Sequence, residues 1–193
     1  MCIRGKEETS ASRESGAAIR FHEKLSLVGK KHDCYLVHPP YRKGMGCSFW
    51  QRDISVPKEG RLDFCLGMGE RSSGRSDGAV FKVLLAELKH DATEQYYKLY
   101  EHAQVDSRWT HHSVSLSQWE GRKVRLRFVS DCGPNNNATA DHSLWGDVRI
   151  VDPAALTEET EPVRFMTWVN DKPFTSGLAR TRPFLNSRQI TSG

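Results

Sequence analysis

The stretch SDCGPNNNATADHSLWGDVRI, residues 130–150, is dense in carboxylate and amide oxygens through its first half. Calcium in proteins takes about six to eight oxygen ligands from such groups and from backbone carbonyls. The stretch offers five of these side chains within eleven positions: Asp131, Asn135, Asn136, Asn137 and Asp141. Their spacing is not that of an EF-hand loop, and Asp and Asn are also common turn formers. A calcium-binding loop and a plain connection between two strands are both open interpretations.

Nucleophilic catalysis is the second chemistry to consider, because His111 and His112 are followed by Ser113 and Ser115. The alternating segment THHSVSL predicts a strand, in which the two histidines point to opposite faces. The sequence contains no GxSxG or HExxH motif and no Gly-rich loop with a phosphate-binding lysine. Glycoside hydrolysis usually needs two carboxylates about 5–10 Å apart across a cleft, whereas the acids here lie mostly in turns and at outward positions. We therefore expect a chain without catalytic activity.

Composition narrows the range of partners. The 28 Lys and Arg residues are spread along the 193-residue chain among 24 acids, which gives a net charge of +4. This mild and mixed charge does not indicate a nucleic-acid partner. No apolar run approaches the ~20 residues of a membrane span. The first twenty residues contain no apolar stretch typical of a secretory signal, so we expect an intracellular protein or a piece of a longer chain.

The cysteines are odd in number and contain no CxxC pair: Cys2, Cys34, Cys47, Cys65 and Cys132. This pattern indicates neither a zinc site nor a disulfide framework. Cys65 sits in an apolar alternation and is interpreted as a small core residue. A single Cys34–Cys47 bridge is a further possibility.

The elements that position these residues show a hydrophobic period of two. In RLDFCLGM (61–68), Leu62, Phe64 and Leu66 alternate with Arg61, Asp63 and Cys65, and KVRLRFVS (123–130) behaves in the same way. Such alternation predicts half-buried strands, and turn-forming clusters separate them. The side chains expected to point mostly inward are Leu62, Phe64, Leu66, Val80, Phe81, Val83, Val124, Leu126, Phe128, Trp145 and Ile150.

Several short strands without alternating helices predict an all-β fold, an antiparallel jelly-roll sandwich. Only residues 91–104 fit a helix and a strand about equally well. We predict a disordered polar arm at 1–16 and a sandwich domain at 17–152. Residues 153–193 are interpreted as a linker, an extra strand at 163–169 and a tail.

Four segments occur in an order known from one family of sandwich domains: VHPPYRKGMG, LDFCLGMGERSSGRSDGAVFKVLL, WTHHSVSLSQWEGRKVRLRFVSDCGPNNN and DHSLWGDVRI. Over residues 35–152 the chain resembles the NPCBM, or galactose-binding-domain-like, group of carbohydrate-binding modules attached to glycoside hydrolases. It departs from the family in reading SDCG where relatives often have Asp-Pro-Gly, and in having Val148 where they often have Pro. His142 stands where many relatives carry a Trp.

The resemblance implies a β-sandwich whose loops at one end bind carbohydrate, often with a structural calcium ion. For this chain it implies calcium ligands at Asp147, Asp131 and Asp141, with Asp147 where the acidic ligand of related sandwiches tends to lie. It also implies an extracellular or cell-surface location and a place beside other domains of a larger protein.

Sugars are held by an aromatic face and by planar polar groups that bond to adjacent hydroxyls. The loop residues with this chemistry are His38, Tyr41, Arg42, Arg75, Asp77, Asn137 and His142. We therefore expect a non-catalytic carbohydrate-binding module. The alternative is a protein-interaction or architectural sandwich without a sugar site, which the replacement of Trp by His142 favours.

Overall fold

The computed structural model describes residues 15–42, 44–89 and 94–152 with their side chains, and three further strands by their backbone. These residues form twelve strands and two 3₁₀ turns, Glu70–Ser72 and Ser117–Trp119. The strands are β1 (Gly5–Glu8), β2 (Ala18–Leu27), β3 (Lys30–His38), β4 (Gly46–Ser55), β5 (Arg61–Met68), β6 (Ala79–Glu87), β7 (Tyr96–Gln104), β8 (Thr110–Ser115), β9 (Lys123–Cys132), β10 (Ser143–Val151), β11 (Arg164–Val169) and β12 (Lys172–Leu178). Nothing helical in the described part of the chain has the length and apolarity that a bilayer crossing requires.

The strands form two sheets. The larger has seven strands in the order β1-β12-β11-β4-β9-β6-β7, and the smaller has five in the order β2-β3-β10-β5-β8. Neighbouring strands are antiparallel, except that β1 runs parallel to β12. Most strands that are neighbours in a sheet are distant from each other in the chain, which is typical of a jelly roll. The predicted all-β antiparallel sandwich is confirmed.

The main core lies between the two sheets. Trp50 of β4 stacks on Phe128 of β9, with ring centroids 4.0 Å apart, and Trp145 of β10 meets the Phe128 ring edge-on from the smaller sheet. The inward residues predicted on β5 and β9 all belong to this core, as does Trp145. Burying aromatic and aliphatic side chains from both sheets is the main force that holds the sheets together.

Two strands differ from the predicted half-buried pattern. On β5 the face expected to be outward is also covered, because Asp63 and Cys65 are buried. On β6, Phe81 and Val83 point inward as predicted, but Val80 does not. Val80 was placed wrongly because the AVFKVLL run is apolar on both faces, so that periodicity alone does not identify the inner one. Ile150 lies at the margin of the core and is only partly buried.

Each sheet also carries an apolar cluster on its outer face. The cluster on the smaller sheet, here called the outer cluster, consists of Leu27, Cys34, Cys65, Trp109 and Leu144. The larger sheet has a corresponding cluster around Cys47, Phe49 and Val129. Cys34 and Cys47 thus lie on opposite outer faces of the sandwich, and both are free thiols. The Cys34–Cys47 bridge that the sequence left possible is not formed.

The segments outside the main run of strands contribute to the larger sheet. The extra strand predicted near 163–169 is present as β11, which pairs with β4, while the ambiguous segment 91–104 contains strand β7. Within the stretch predicted as a disordered arm, residues 5–8 form β1, and the Ser15 side chain is buried. Residues 90–93, the linker at 153–163 and the tail after 178 lie outside the described residues. The domain boundaries at 17 and 152 stay predictions.

Candidate functional site

A cleft of about 890 Å³ opens on the outer face of the smaller sheet. Its floor is apolar, because outward side chains of β2, β3 and β10 line it with Leu25, Leu27, Leu36 and Leu144. Its walls come from three loop segments, at 38–45, 69–75 and 138–142. We call it the outer cleft. The jelly-roll connections place these three segments, which are far apart in the chain, side by side at one end of the sheet.

Three rings form the polar wall of the outer cleft. The His38 ring lies between the rings of Tyr41 and His142, with centroid distances of 5.2 Å to each. His38 is 8% exposed, whereas Tyr41 is 45% exposed. The sugar candidates His38, Tyr41 and His142 are thus brought together, with one aromatic side chain open to solvent.

The segment at 15–16 positions Tyr41. The Ser15 carbonyl accepts hydrogen bonds from the backbone N–H groups of Tyr41 and Arg42, at 2.9 and 2.8 Å. Gly16 has a φ of +75°, and a Cβ there would lie 2.3 Å from the Tyr41 ring. A glycine at this position therefore allows both the left-handed backbone and the close approach of the ring.

The two histidines are held in their neutral form. The pKa of His38 is lowered by burial, and its Nδ1 donates to the Pro39 carbonyl at 2.6 Å, which leaves Nε2 as an acceptor. The pKa of His142 is lowered by burial and also by the nearby His38, Arg71 and Arg75. Near neutral pH these rings can therefore offer hydrogen bonds and flat surfaces rather than charge.

Positive charge in the outer cleft comes from arginines. Arg20 of β2 and Arg71 and Arg75 of the 69–75 loop are exposed and line the cleft, together with one carboxylate, Glu70. Among the described residues, none forms an ion pair with these three guanidinium groups. Their donors are thus available to an acidic ligand.

The remaining sugar candidates do not line the outer cleft. Asn137 Oδ1 accepts a hydrogen bond from the backbone of Thr139, and Asp77 Oδ2 accepts one from the backbone of Asn135. Both side chains therefore stabilise turns. The Arg42 guanidinium lies over the Tyr41 ring, 5.3 Å from its centroid.

Sequence reasoning missed Arg20 and Arg71, although signals for both were present. Ala18, Arg20 and His22 alternate along β2 and line the cleft from one face of the strand. Arg71 lies in the same loop as the predicted Arg75. A period of two combined with a loop position could have indicated these residues, but the meeting of β2 with the 69–75 loop is a tertiary feature.

The three predicted calcium ligands lie in different surroundings. Asp131 is paired with Lys82 at 2.7 Å on the outer face of the larger sheet. Asp147 contacts His32, with 2.5 Å between Oδ2 and Nδ1, on the smaller sheet. Asp141 is buried in the loop before β10. The structure thus does not bring these carboxylates together into one calcium site.

Asp141 is the predicted ligand whose neighbours best fit calcium. Its Oδ1 accepts a hydrogen bond from Ser76 at 2.5 Å, while no described residue forms a hydrogen bond with its buried Oδ2 or with Oδ1 of Asp77. Burial, together with the charge of Asp77, raises the pKa of Asp141 to about 6. Two buried oxygens that lack partners suit a hard cation. Around Asp147, by contrast, Cys65 offers sulfur and His32 offers nitrogen, and calcium takes neither readily.

The histidine pair considered for catalysis, His111 and His112, is not arranged as a catalytic base beside a serine nucleophile. His111 is exposed, and both nitrogens of His112 are engaged, with Tyr100 Oη at 2.8 Å and Thr110 Oγ1 at 2.9 Å. The Ser113 hydroxyl donates to Asp63 instead of to a histidine. These contacts do not form a nucleophile–base pair.

No protein-family model matches the chain. An uncharacterized protein of Archaeoglobus fulgidus is 27% identical over 103 residues, which make up 51% of this chain and 25% of that protein. The chain thus spans about a quarter of the length of this curated relative.

Among solved structures, the CBM22-1–GH10 modules of a Clostridium thermocellum endo-1,4-β-D-xylanase, complexed with xylohexaose, are similar at a TM-score of 0.47 and 12% identity. That match covers 72% of this chain and 25% of the xylanase chain. The CBM22-1 xylan-binding domain from Paenibacillus barcinonensis is similar at a TM-score of 0.44 and 14% identity, covering 78% of this chain and 96% of that domain.

Proposed function

We propose that residues 17–152 form a non-catalytic carbohydrate-binding module of the NPCBM type and that the outer cleft binds the sugar. The observation that carries this proposal is the wall of three rings over an apolar floor. Tyr41 offers an exposed aromatic face to a pyranose ring, while the neutral His38 and His142 offer hydrogen bonds to its hydroxyls. A rigid apolar cleft with a few convergent polar groups is the usual form of a small-ligand site.

The same cleft gives no support to hydrolysis. Among the described residues that line it, Glu70 is the only carboxylate, whereas glycoside hydrolysis normally uses two. We therefore propose binding without cleavage. Incubating the purified chain with polysaccharides and measuring released reducing ends tests this point, and hydrolysis that follows the protein through purification would contradict it.

Three arginines support a proposal about the class of sugar. Arg20, Arg71 and Arg75 line the cleft, and no described residue forms an ion pair with them. Guanidinium groups bond carboxylates and sulfates in a bidentate manner. We propose that the preferred ligands are acidic glycans, which carry uronic acid or sulfate groups. Because exposed charges are screened by salt, the preference for acidic over neutral glycans is expected to narrow as the salt concentration rises.

The test is a glycan array followed by calorimetric titration of the best ligand. Tyr41→Ala is expected to weaken binding by about three- to tenfold, because an aromatic contact contributes about 0.5–1.5 kcal/mol. Tyr97→Ala is the matched control, since Tyr97 is a similarly exposed tyrosine, 48% exposed, on β7 of the other sheet. Equal affinity of wild type and Tyr41→Ala would contradict the assigned site.

The outcome on the array also separates the two functions considered from sequence. A folded chain that binds no glycan at millimolar concentrations would overturn carbohydrate binding and favour the protein-interaction sandwich. We propose in addition that calcium, where present, binds at Asp141 and Asp77 and stabilises the loop behind the cleft.

A further inference from the structure

We propose that His32, Cys65 and Asp147 form a site for a zinc ion on the outer face of the smaller sheet. His32 lies on β3, Asp147 on β10 and Cys65 on β5, and these strands are neighbours in that order. One ligand atom from each residue lies within 4.8 Å of the other two. This is the one such group of His, Cys, Asp or Glu side chains among the described residues. It is distinct from the outer cleft and does not depend on sugar binding.

The backbone of β10 directs Asp147 toward this group. The register with β5 passes from Gly146 opposite Cys65 to Arg149 opposite Asp63, so two residues of β10 face one of β5. Simple alternation from the inward Trp145 would point Asp147 into the main core. The bulge instead turns it to the outer face, since Val148 and Ile150 again pack inward.

Asp147 adopts an uncommon conformation in this bulge. Its φ is +44°, in the left-handed region that non-glycine residues enter only at an energetic cost. Asn and Asp tolerate this region better than most residues. The bulge thus places a carboxylate beside a histidine and a cysteine.

The donor set favours zinc over calcium. Imidazole nitrogen, thiolate sulfur and carboxylate oxygen are the usual zinc ligands, whereas calcium takes oxygen alone. Three protein ligands leave a fourth position for water. That position is accessible, because the His32 and Asp147 side chains are 21% and 30% exposed, while Cys65 lies beneath them at 6%.

Trp109 gives the site a rigid wall. Its ring lies edge-on to His32, with centroids 4.9 Å apart, and its Nε1 donates to the Lys30 carbonyl at 3.1 Å. Gly146 leaves room for this ring, because a Cβ there would lie 2.9 Å from it. The His32 ring is thereby held next to the bulge, and ligands fixed by their surroundings bind a metal with less ordering.

The protons balance in a simple way. In this structure His32 Nδ1 donates to the ionised Asp147 carboxylate, so binding of zinc through Nδ1 would require the neutral ring to carry its proton on Nε2 instead. The Asp147 carboxylate would bind zinc without a change of protonation, and the Cys65 thiol would release its proton to solvent as the sulfur–zinc bond forms. Tetrahedral ligands about 2.0–2.1 Å from zinc are about 3.3 Å apart. His32 Nδ1 and Asp147 Oδ2 are 2.5 Å apart, so these two atoms would need to move apart by ~0.8 Å to bind zinc.

The test is a titration of the metal-stripped full chain with zinc, and in parallel with cobalt, whose bond to a thiolate gives a near-ultraviolet charge-transfer band. We expect one zinc per chain, a rise in the melting temperature and a cobalt–thiolate band. Cys65→Ala is expected to remove the band and to weaken zinc binding at least tenfold. Cys34→Ala is the control, because Cys34 is a buried thiol of the same outer cluster but not of the site. It is expected to leave the band and the zinc affinity unchanged.

His32→Gln provides a second variant at a partly exposed position if Cys65→Ala does not fold, and it is also expected to weaken zinc at least tenfold. A melting temperature of the wild type that zinc does not raise would overturn the proposal. A cobalt–thiolate band that persists in Cys65→Ala would do so as well. In either case, His32 and Asp147 form only an ion pair above a buried thiol.

Discussion

Asp141 shows how burial and the hydrogen bonds to its two oxygens together set the pKa of a carboxyl group. Oδ1 accepts from Ser76, whereas no described residue forms a hydrogen bond with Oδ2 or with the nearby Oδ1 of Asp77. The pKa of Asp141 is raised to about 6 from 3.8. Because the folded state favours the protonated acid, its ionisation lowers the free energy of unfolding as the pH rises through about 4 to 6, and the loss persists above that range.

Asp141→Asn is therefore expected to stabilise the chain by roughly 2–3 kcal/mol at pH 7.5 in the presence of chelator, since the variant keeps the acceptor for Ser76 and removes the charge. Near pH 4 the gain is expected to be much smaller. If calcium binds at Asp141 and Asp77 as proposed, the order is expected to reverse in its presence, because only the wild type would gain stability from the ion. Urea denaturation at both pH values, with calcium and with chelator, measures these differences. Equal effects of the substitution at both pH values would contradict the pKa argument.

Individual residues also mark the limit of reasoning from sequence. His38, Tyr41, Arg75 and His142 were selected from the sequence by loop position and side-chain chemistry, and all four line the outer cleft. Their role in sugar binding stays a prediction. The neighbours of Asp147 could not be predicted, because a bulge of one residue changes which face a side chain occupies. His32 and Cys65 are 33 residues apart in the sequence, too far for any metal-binding motif to indicate them together.

At the scale of elements, the alternation of apolar and polar residues predicted the inward face correctly on both β9 and β5. It did not predict that the outward face of β5 is also buried, because that face is covered by other parts of the chain. The outward side chains of β9 include Arg125 and Arg127, so polarity marks its faces clearly. On β5 the outward Cys65 lies under Trp109, and Asp63 is paired with Arg61 and Arg149. Trp109 directly precedes β8, and nothing in the local sequence indicates that its ring covers β5 and β10.

The contact between Trp109 and Gly146 leads to a prediction. Gly146→Ala is expected to lower the free energy of unfolding by about 1–3 kcal/mol, because the added methyl group would overlap a ring that is fixed at Nε1. In a Trp109→Ala background the same substitution is expected to cost distinctly less, since the ring is absent. Denaturant unfolding of the two single variants and the double variant gives the coupling. Additive effects of the two substitutions would show that the Trp109 ring does not restrict the size of the side chain at position 146.

At the scale of the whole molecule, the strands near the two ends of the chain complete the larger sheet. β11 pairs with β4 over six residues, β12 pairs with β11, and β1 pairs with β12. The sequence predicted β11 from its apolar pattern, but strand β1 lies in a polar segment whose pairing partner is far away. Such long-range pairing leaves little signal in local composition.

Shortening the chain to residues 15–152 is therefore expected to expose the edge of β4, whose hydrogen-bonding groups would lose their partner strand. Unpaired edges promote association between copies. Size-exclusion chromatography is expected to show self-association that grows with concentration. A monomeric short chain as stable as the full chain would contradict this expectation.

The floor of the outer cleft has a further consequence for motion. Leu27 and Leu144 line the cleft and belong at the same time to the buried outer cluster. Opening the floor of the outer cleft would thus require removing these leucines from a packed layer over the middle of the smaller sheet. Backbone amides of β10 are expected to exchange with deuterium only at the rate of global unfolding, whereas those of the 69–75 and 138–142 loops exchange faster. Selectivity would then be set by small adjustments of loop side chains above a floor that does not change shape.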